Sequence, residues 1–158
     1  LGFAAHIMTS VLEGEAESVA AFLYAIGREI SHFHTPFQPP VVLLFGGETT
    51  VKVTGSGRGG RNQQLALAAL CRIGRDARLT LLTAGTDGID GNSHAAGAIA
   101  DADGFLAAVA KGLEPGRYLK ENDATAFFER IDSLVVTGPT GTNVMDIMVL
   151  LVTAKGEV

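Results

Sequence analysis

The spacing of apolar residues predicts helices that alternate with short strands along this chain. Between Val19 and Ile30 apolar side chains recur every three or four residues, which is the spacing of one helical face within 15–30. The leucine- and alanine-rich segment 62–73 predicts a second helix, because its residues favour helical backbone. Two further helices are predicted over 105–111 and 124–130.

Short apolar or β-branched runs predict the strands, over 41–45, 50–53, 79–83, 134–136 and 144–152. The first two runs are close together, as are the last two, and each pair predicts a hairpin. Strands that alternate with helices indicate an α/β fold. We therefore expect a mixed sheet flanked by helices in a single domain, with 41–158 as the domain proper. Residues 1–40 are expected to form an N-terminal helix and a proline-containing linker at the domain edge.

Composition and charge narrow the class of protein. Of the 158 residues 47% are hydrophobic and 18% charged, as in a folded globular protein. The net charge is -5 and there is no basic run, which argues against nucleic-acid binding. No apolar stretch is long enough for a membrane helix, so we expect no membrane partner. One cysteine and no signal peptide predict a cytoplasmic protein, and a start at Leu1 predicts a piece of a longer one.

A glycine-rich loop, 55–60, precedes the second predicted helix. Glycines let backbone N–H groups approach an anion at a helix N-terminus, and two arginines add forked donors. The candidate substrate- or phosphate-binding residues here are Gly57, Arg58, Gly59, Gly60, Arg61 and Asn62. A loop with only a structural role is one alternative. A dinucleotide site is another, because the glycines match the G-x-G-x-x-G pattern, although no acidic residue ends a following strand at the required spacing.

A second loop, 83–91, follows a predicted strand and carries Thr86, Asp87 and Asp90. In an open α/β sheet such a loop lies at the carboxyl edge, where ligands bind. The two aspartates are candidate Mg²⁺ ligands, and Thr86 and Asp87 are also candidates for contacts with substrate. The alternative is an Asx-turn, since aspartate beside glycine is ordinary turn chemistry.

A third loop, 137–143, is rich in hydroxyl and amide groups, and its candidate ligand-binding residues are Thr140, Thr142 and Asn143. Asp146 follows inside an apolar strand, which predicts that its carboxylate is paired or meets a ligand. Glu48, after the strand 41–45, is a further candidate. It is predicted either to orient one of the two loop arginines through an ion pair or to contact substrate directly.

Four segments together resemble the glycerate 2-kinase family, whose members are sometimes labelled hydroxypyruvate reductase. They are GGETTV at 46–51, GSGRGGRNQQ at 55–64, AGTDGIDG at 84–91 and TGPTGTNVMDI at 137–147. The resemblance covers most of the chain and is to the family's C-terminal domain, known as the MOFRL domain. Each segment is moderately specific alone, and the four in this order are a strong signal.

The resemblance implies transfer of the γ-phosphoryl group of ATP to the 2-hydroxyl of D-glycerate, with Mg²⁺. It also implies a larger, Rossmann-like N-terminal domain that shares the active-site cleft and supplies a lysine, while Arg61 is the matching arginine here. We therefore expect the chain alone to be inactive. An NAD(P)H-dependent hydroxypyruvate reductase and a stand-alone ligand-binding module remain alternatives, and a homodimer is left open.

Overall fold

A six-stranded mixed sheet organises the chain, and the computed structural model describes residues 3–154. The strands lie in the order β1-β2-β6-β3-β4-β5 across the sheet. β1 pairs in parallel with β2, and every other pair is antiparallel. The predicted mixed α/β fold is therefore confirmed. The strands are β1 (Ala4–Glu15), β2 (Val41–Thr50), β3 (Leu79–Gly85), β4 (Gly97–Ala100), β5 (Leu134–Val135) and β6 (Asp146–Val152).

Within residues 3–154, five helices form a layer on one face of the sheet. They are α1 (Ala16–Phe33), α2 (Arg61–Ile73), α3 (Ala102–Ala110), α4 (Pro115–Lys120) and α5 (Ala124–Ile131). α2 lies at the centre of this layer, where it contacts the other four helices and the sheet. Every residue from 62 to 70 is consequently buried. Within the described residues, no helix is both long and apolar enough to cross a membrane.

Periodicity predicted the helices well. The four predicted helices correspond to α1, α2, α3 and α5, with ends that differ by up to three residues. α1 begins where Glu15 accepts a hydrogen bond from the Ser18 N–H and ends at His34 in the left-handed conformation. α4 was not predicted. It is a six-residue helix that begins with Pro115, a favoured residue at a first helical position.

The predicted hairpin between 41–45 and 50–53 is wrong, because β2 continues as one strand through Gly46 and Gly47. Gly47 has a φ of 150°, and a Cβ there would overlap the backbone of Leu12 in β1. The glycine pair therefore lets two parallel strands approach closely where β1 is bulged. It does not form a turn.

The predicted hairpin between 134–136 and 144–152 is also wrong. β5 pairs with β4, and β6 is inserted between β2 and β3. β4 itself was missed, because the residues Gly97–Ala100 include no large apolar side chain except Ile99.

Residues 1–40 contain more than the predicted helix and linker, because the missed strand β1 adds to the sheet edge. β1 gives no clear alternation of apolar residues since it is exposed on both faces, with Ile7 79% exposed. Phe37 packs on the core between α1 and β2, and the His6 ring stacks on it with centroids 4.4 Å apart. This part of the chain is thus packed on the sheet it precedes.

Candidate functional site

The carboxyl ends of β2 and β3 meet the start of β6 at one edge of the sheet. Asp146, the first residue of β6, lies opposite Gly47 of β2 and Gly85 of β3. Arg61 begins α2 above the same point. Four separate parts of the chain are therefore joined at the edge where ligands bind in open α/β sheets.

Arg61 is the centre of this site. Its Nε donates to Asp146 Oδ2 at 2.6 Å, and its Nη2 donates to Asp146 Oδ1 at 2.8 Å. Nη2 also lies 3.4 Å from Glu48 Oε1. The Asp146 side chain is fully buried, that of Arg61 is 30% exposed and that of Glu48 is 57% exposed. A two-point contact with a buried carboxylate fixes the plane of the guanidinium group.

The hydrogen bond to Asp146 raises the pKa of Arg61 above its ordinary value, so the guanidinium stays charged. This pairing confirms that the carboxylate of Asp146 has a partner, as its place in an apolar strand predicted. It also shows that Glu48 contacts Arg61 and not Arg58. Arg61 Nη1 has no hydrogen-bond partner among residues 3–154 and remains free to donate to a ligand.

Asp87 lies beside this group. A Cβ placed on Gly85 would be 3.0 Å from Asp87 Oδ1 and 3.6 Å from Asp146 Oδ1, so both carboxylates border the same glycine. Asp87 Oδ1 accepts a hydrogen bond from the Ile89 N–H at 3.2 Å, as in an Asx-turn, and the side chain is partly exposed. One cation and three carboxylates thus leave the cluster of Glu48, Arg61, Asp87 and Asp146 with a formal surplus of two negative charges.

Asp90, which was predicted as a metal ligand, binds the N-terminus of a helix in the structure. Its buried carboxylate accepts the backbone N–H groups of Asn62 at 3.1 Å and Gln63 at 2.9 Å, and both side-chain amides as well. These contacts cap the N-terminus of α2 from another loop. Burial raises the pKa of Asp90, while the hydrogen bonds from Gln63 and Asn62 oppose that shift. Asn62, a predicted ligand contact, is itself buried beneath this cap.

The glycine-rich loop packs against protein. Its N–H groups at Gly55, Gly57, Arg58 and Gly59 all donate to residues of the chain, namely Asn122, Glu121, Asp123 and Asn92. A Cβ on Gly57 would overlap Asp123, and one on Gly60 would overlap Asp90. The close approach explains these glycines and leaves those four N–H groups unavailable to an anion, which favours the structural alternative for the loop backbone.

Arg58 points away from Arg61. Its guanidinium forms an exposed ion pair with Glu129 of α5, with Nη2 and Oε2 3.0 Å apart. The two arginines therefore have different surroundings. Arg61 belongs to the cluster at the sheet edge, and Arg58 lies against α5.

Two threonines join the second and third predicted loops. The Thr86 hydroxyl donates to the Met145 carbonyl at 2.7 Å and accepts the Val144 N–H at 2.8 Å. The Thr140 hydroxyl donates to the Thr86 carbonyl at 2.5 Å. Both predicted ligand contacts therefore hold the loops together, and the neighbouring Thr142 and Asn143 are exposed.

Comparison with known proteins assigns the family. The sequence profile of the MOFRL family matches residues 41–146, which include Glu48, Arg61, Asp87 and Asp146. The chain belongs to the MOFRL family. The suspected resemblance is thereby confirmed.

Relatives of this MOFRL chain are named as kinases and as a reductase. A glycerate 2-kinase of Pyrococcus horikoshii is 44% identical over 156 residues, which are 98% of this chain and 35% of the relative. A putative hydroxypyruvate reductase of Agrobacterium vitis is 37% identical over 148 residues, 92% of this chain and 38% of the relative. The crystal structure of a glycerate kinase from Thermotoga maritima superimposes with a TM-score of 0.93 at 42% identity, and covers 96% of this chain and 37% of that one. The chain spans little more than a third of the length of these proteins.

Proposed function

We propose that this chain is the C-terminal domain of an ATP-dependent glycerate 2-kinase. The complete kinase phosphorylates D-glycerate at the 2-hydroxyl, in a cleft that this domain shares with a Rossmann-like domain outside these 158 residues. The observation that carries the proposal is the guanidinium of Arg61, fixed by buried Asp146 at the carboxyl edge of the sheet. The names of the kinase relatives support it.

In this reaction the 2-hydroxyl oxygen of glycerate attacks the γ-phosphorus, the bond from that phosphorus to ADP breaks, and the hydroxyl proton passes to a base. Such transfer depends mainly on positioning and on stabilising negative charge. Arg61 suits that task because two of its nitrogens are held by the protein while Nη1 remains free among the described residues. Asp146 acts as a positioning residue, because its carboxylate is fully buried and contacts Arg61 without being accessible to substrate.

Asp87, Thr142 and Asn143 are the proposed contacts to the polar groups of the substrate. Their side chains are partly or fully exposed, unlike those of Asn62 and Asp90. The loop that carries Thr142 and Asn143 is tied to Asp87 by a backbone hydrogen bond from the Thr140 N–H. Asp87 accepts a single hydrogen bond at Oδ1, which leaves Oδ2 without a protein donor among residues 3–154. A substrate hydroxyl is a suitable donor for that oxygen.

The charge of the cluster indicates what the rest of the site must supply. A formal surplus of two negative charges repels glycerate and ATP unless cations are added from outside the chain. A lysine of the second domain and Mg²⁺ are the proposed sources. Among residues 3–154 no group of three or more His, Cys, Asp or Glu side chains is arranged to hold a metal. Mg²⁺ in kinase sites is usually held by one or two carboxylates together with substrate phosphates, and Asp87 is the carboxylate of this chain that we propose would contribute.

The second candidate function is an NAD(P)H-dependent hydroxypyruvate reductase, which the name of the Agrobacterium relative favours. Its dinucleotide would require the pyrophosphate to sit on the N-terminus of α2. Asp90 already occupies that position, and four loop N–H groups are paired with protein acceptors. This geometry favours the kinase over the reductase.

The test uses the full-length polypeptide that carries this chain. It is mixed with D-glycerate and MgATP, and ADP release is followed for the wild type, Arg61→Ala and Arg72→Ala. Arg72 is a matched control, because it is an exposed arginine of the same helix. Glycerate-dependent ADP release that is lost only in Arg61→Ala supports the proposal. NADH oxidation by hydroxypyruvate, without ADP release from glycerate and MgATP, contradicts it and supports the reductase.

A further inference from the structure

Among residues 3–154, one face of the sheet is apolar and carries no helix. Along β2 the residues Val41, Leu43 and Phe45 are buried beneath the helical layer, whereas Val42 and Leu44 on the opposite face are only half-buried. β6 alternates in the same way, and its Ile147 is 43% exposed. We call this surface the open face, and its main residues are Val42, Leu44, Leu82, Ile147, Val149 and Leu151.

The strand register makes the open face continuous. Leu44 lies opposite Val149, and Val149 lies opposite Leu82, so these side chains form a row across three strands. Val42 and Leu151 form a second row. None of the six residues of the open face is charged, and all five helices pack on the other side of the sheet. Residues 3–154 therefore contribute no second layer to it.

The size of the open face distinguishes between kinds of partner. Seven paired residues at about 3.3 Å each and three strands at about 4.8 Å each give a surface of roughly 330 Å². Apolar patches of more than a few hundred Å² mark interaction sites on soluble proteins. Two copies joined face to face would bury only about 660 Å² in total, well below the usual range for stable complexes. A contact of this size is enough to hold two domains of one polypeptide together, because the covalent linkage raises the effective concentration of one domain at the surface of the other.

We propose that the open face is an interdomain interface, covered by an amphipathic helical layer from the additional polypeptide that the relatives possess. This inference rests on the proposed function only in placing the chain within a longer protein. The relatives have nearly two-thirds of their length outside the matched region, which is ample for such a layer. Helices suit this position because an α/β sheet is stable with helices on both faces.

The open face is continuous with the candidate site. Ile147 of the open face directly follows Asp146 in β6. Glu48 lies four residues after Leu44 in β2, and because alternate residues share a face it lies on the same side of the sheet. A layer seated on the open face therefore ends beside Arg61 and Asp87. This arrangement would position cationic groups of the second domain where the cluster has its surplus of negative charge.

Thiol labelling tests the proposal with a pair of matched positions. In the full-length polypeptide with the exposed Cys71 replaced by serine, Ile147→Cys is compared with Val109→Cys of α3. The two native residues are 43% and 46% exposed in this chain, one on the open face and one on the helical layer. We expect the thiol introduced by Ile147→Cys to react with a maleimide at least tenfold more slowly than the thiol introduced by Val109→Cys. Equal rates overturn the proposal.

Two other outcomes also overturn it. Protection of position 147 that disappears on dilution, together with a dimer in light scattering, assigns the open face to a second copy. A reading frame that encodes only these 158 residues removes the proposed partner. If Ile147→Cys fails to fold, Val149→Cys of the open face and Ala107→Cys of α3, two half-buried positions of this chain, are compared in the same way. Labelling needs no catalysis, so protection without kinase activity would refute the function alone, and activity without protection would refute this inference alone.

Discussion

Replacing Asp146 with asparagine removes the charge that holds Arg61 while preserving the size of the side chain. The wild-type carboxylate accepts from both Nε and Nη2 of Arg61 at 2.6 and 2.8 Å. An asparagine offers one oxygen and one NH₂ group, so one of these two contacts becomes a donor facing a donor. The change therefore tests whether Asp146 fixes the arginine.

The expected loss of stability follows from burial. A hydrogen bond to a charged group contributes about 1.5–3 kcal/mol, and breaking a fully buried ion pair costs about 3–5 kcal/mol. Arg61 is 30% exposed and regains some hydration, so we expect Asp146→Asn to lower the free energy of unfolding by about 2–3 kcal/mol. Glu48→Gln is the comparison. Its contact is longer and its side chain is 57% exposed, which predicts a loss of about 0.5 kcal/mol or less.

Urea unfolding of this chain measures both values, and steady-state kinetics of the full-length polypeptide measures the effect on turnover. A mispositioned arginine is expected to lower kcat about 100-fold, with a smaller change in KM for D-glycerate. Losses of unfolding free energy that are equal in Asp146→Asn and Glu48→Gln would refute the argument. So would an unchanged kcat in Asp146→Asn, since Arg61 would then act without its buried partner.

Three further changes test other parts of the structure. Asp90→Ala removes the cap of α2 and is expected to lower the free energy of unfolding by about 2 kcal/mol in urea titrations. The hydrogen bonds from Arg78 lower the pKa of Asp76 in the folded state. The contribution of Asp76 to the free energy of unfolding is therefore fully present above the pKa of the unfolded state, and it is lost as the pH falls through the pKa of the folded state. The difference in stability between the wild type and Asp76→Asn should vanish in acid. Gly47→Ala should lower the melting temperature because its Cβ overlaps the β1 backbone, whereas Gly116→Ala, with open space around it, should leave it unchanged or raise it slightly.

Hydrophobic periodicity predicted most elements, because an element that buries one face repeats apolar residues at the spacing of that face. α1 and α2 each bury a long apolar surface, so their spacing was visible in the sequence. β1 was not, because an edge strand exposed on both faces needs no alternation. The two hairpins were wrong for other reasons. Gly46 and Gly47 continue β2 and do not turn the chain, and proximity in sequence does not reveal that β6 is inserted between β2 and β3.

The site was predicted in part. Arg61, Glu48 and Asp87 were candidates and lie together, and a lone acid in an apolar strand indicated that Asp146 needs a partner. Asp90 and the glycine loop have structural functions that depend on long-range packing. The sequence could not reveal that Asp90 would cap α2 from another loop, or that Asn122 and Asp123 would accept the loop N–H groups.

The proposed kinase phosphorylates glycerate at its 2-hydroxyl, and proton-coupled phosphorus NMR tests this proposal directly. The full-length polypeptide is incubated with D-glycerate and MgATP, and the phosphorylated product is examined. A phosphate on carbon 2 couples to one proton, so we expect a doublet, and Arg61→Ala should not produce it. A triplet, from a phosphate on the carbon that bears two protons, or no new phosphate ester at all, would rule out phosphorylation of the 2-hydroxyl.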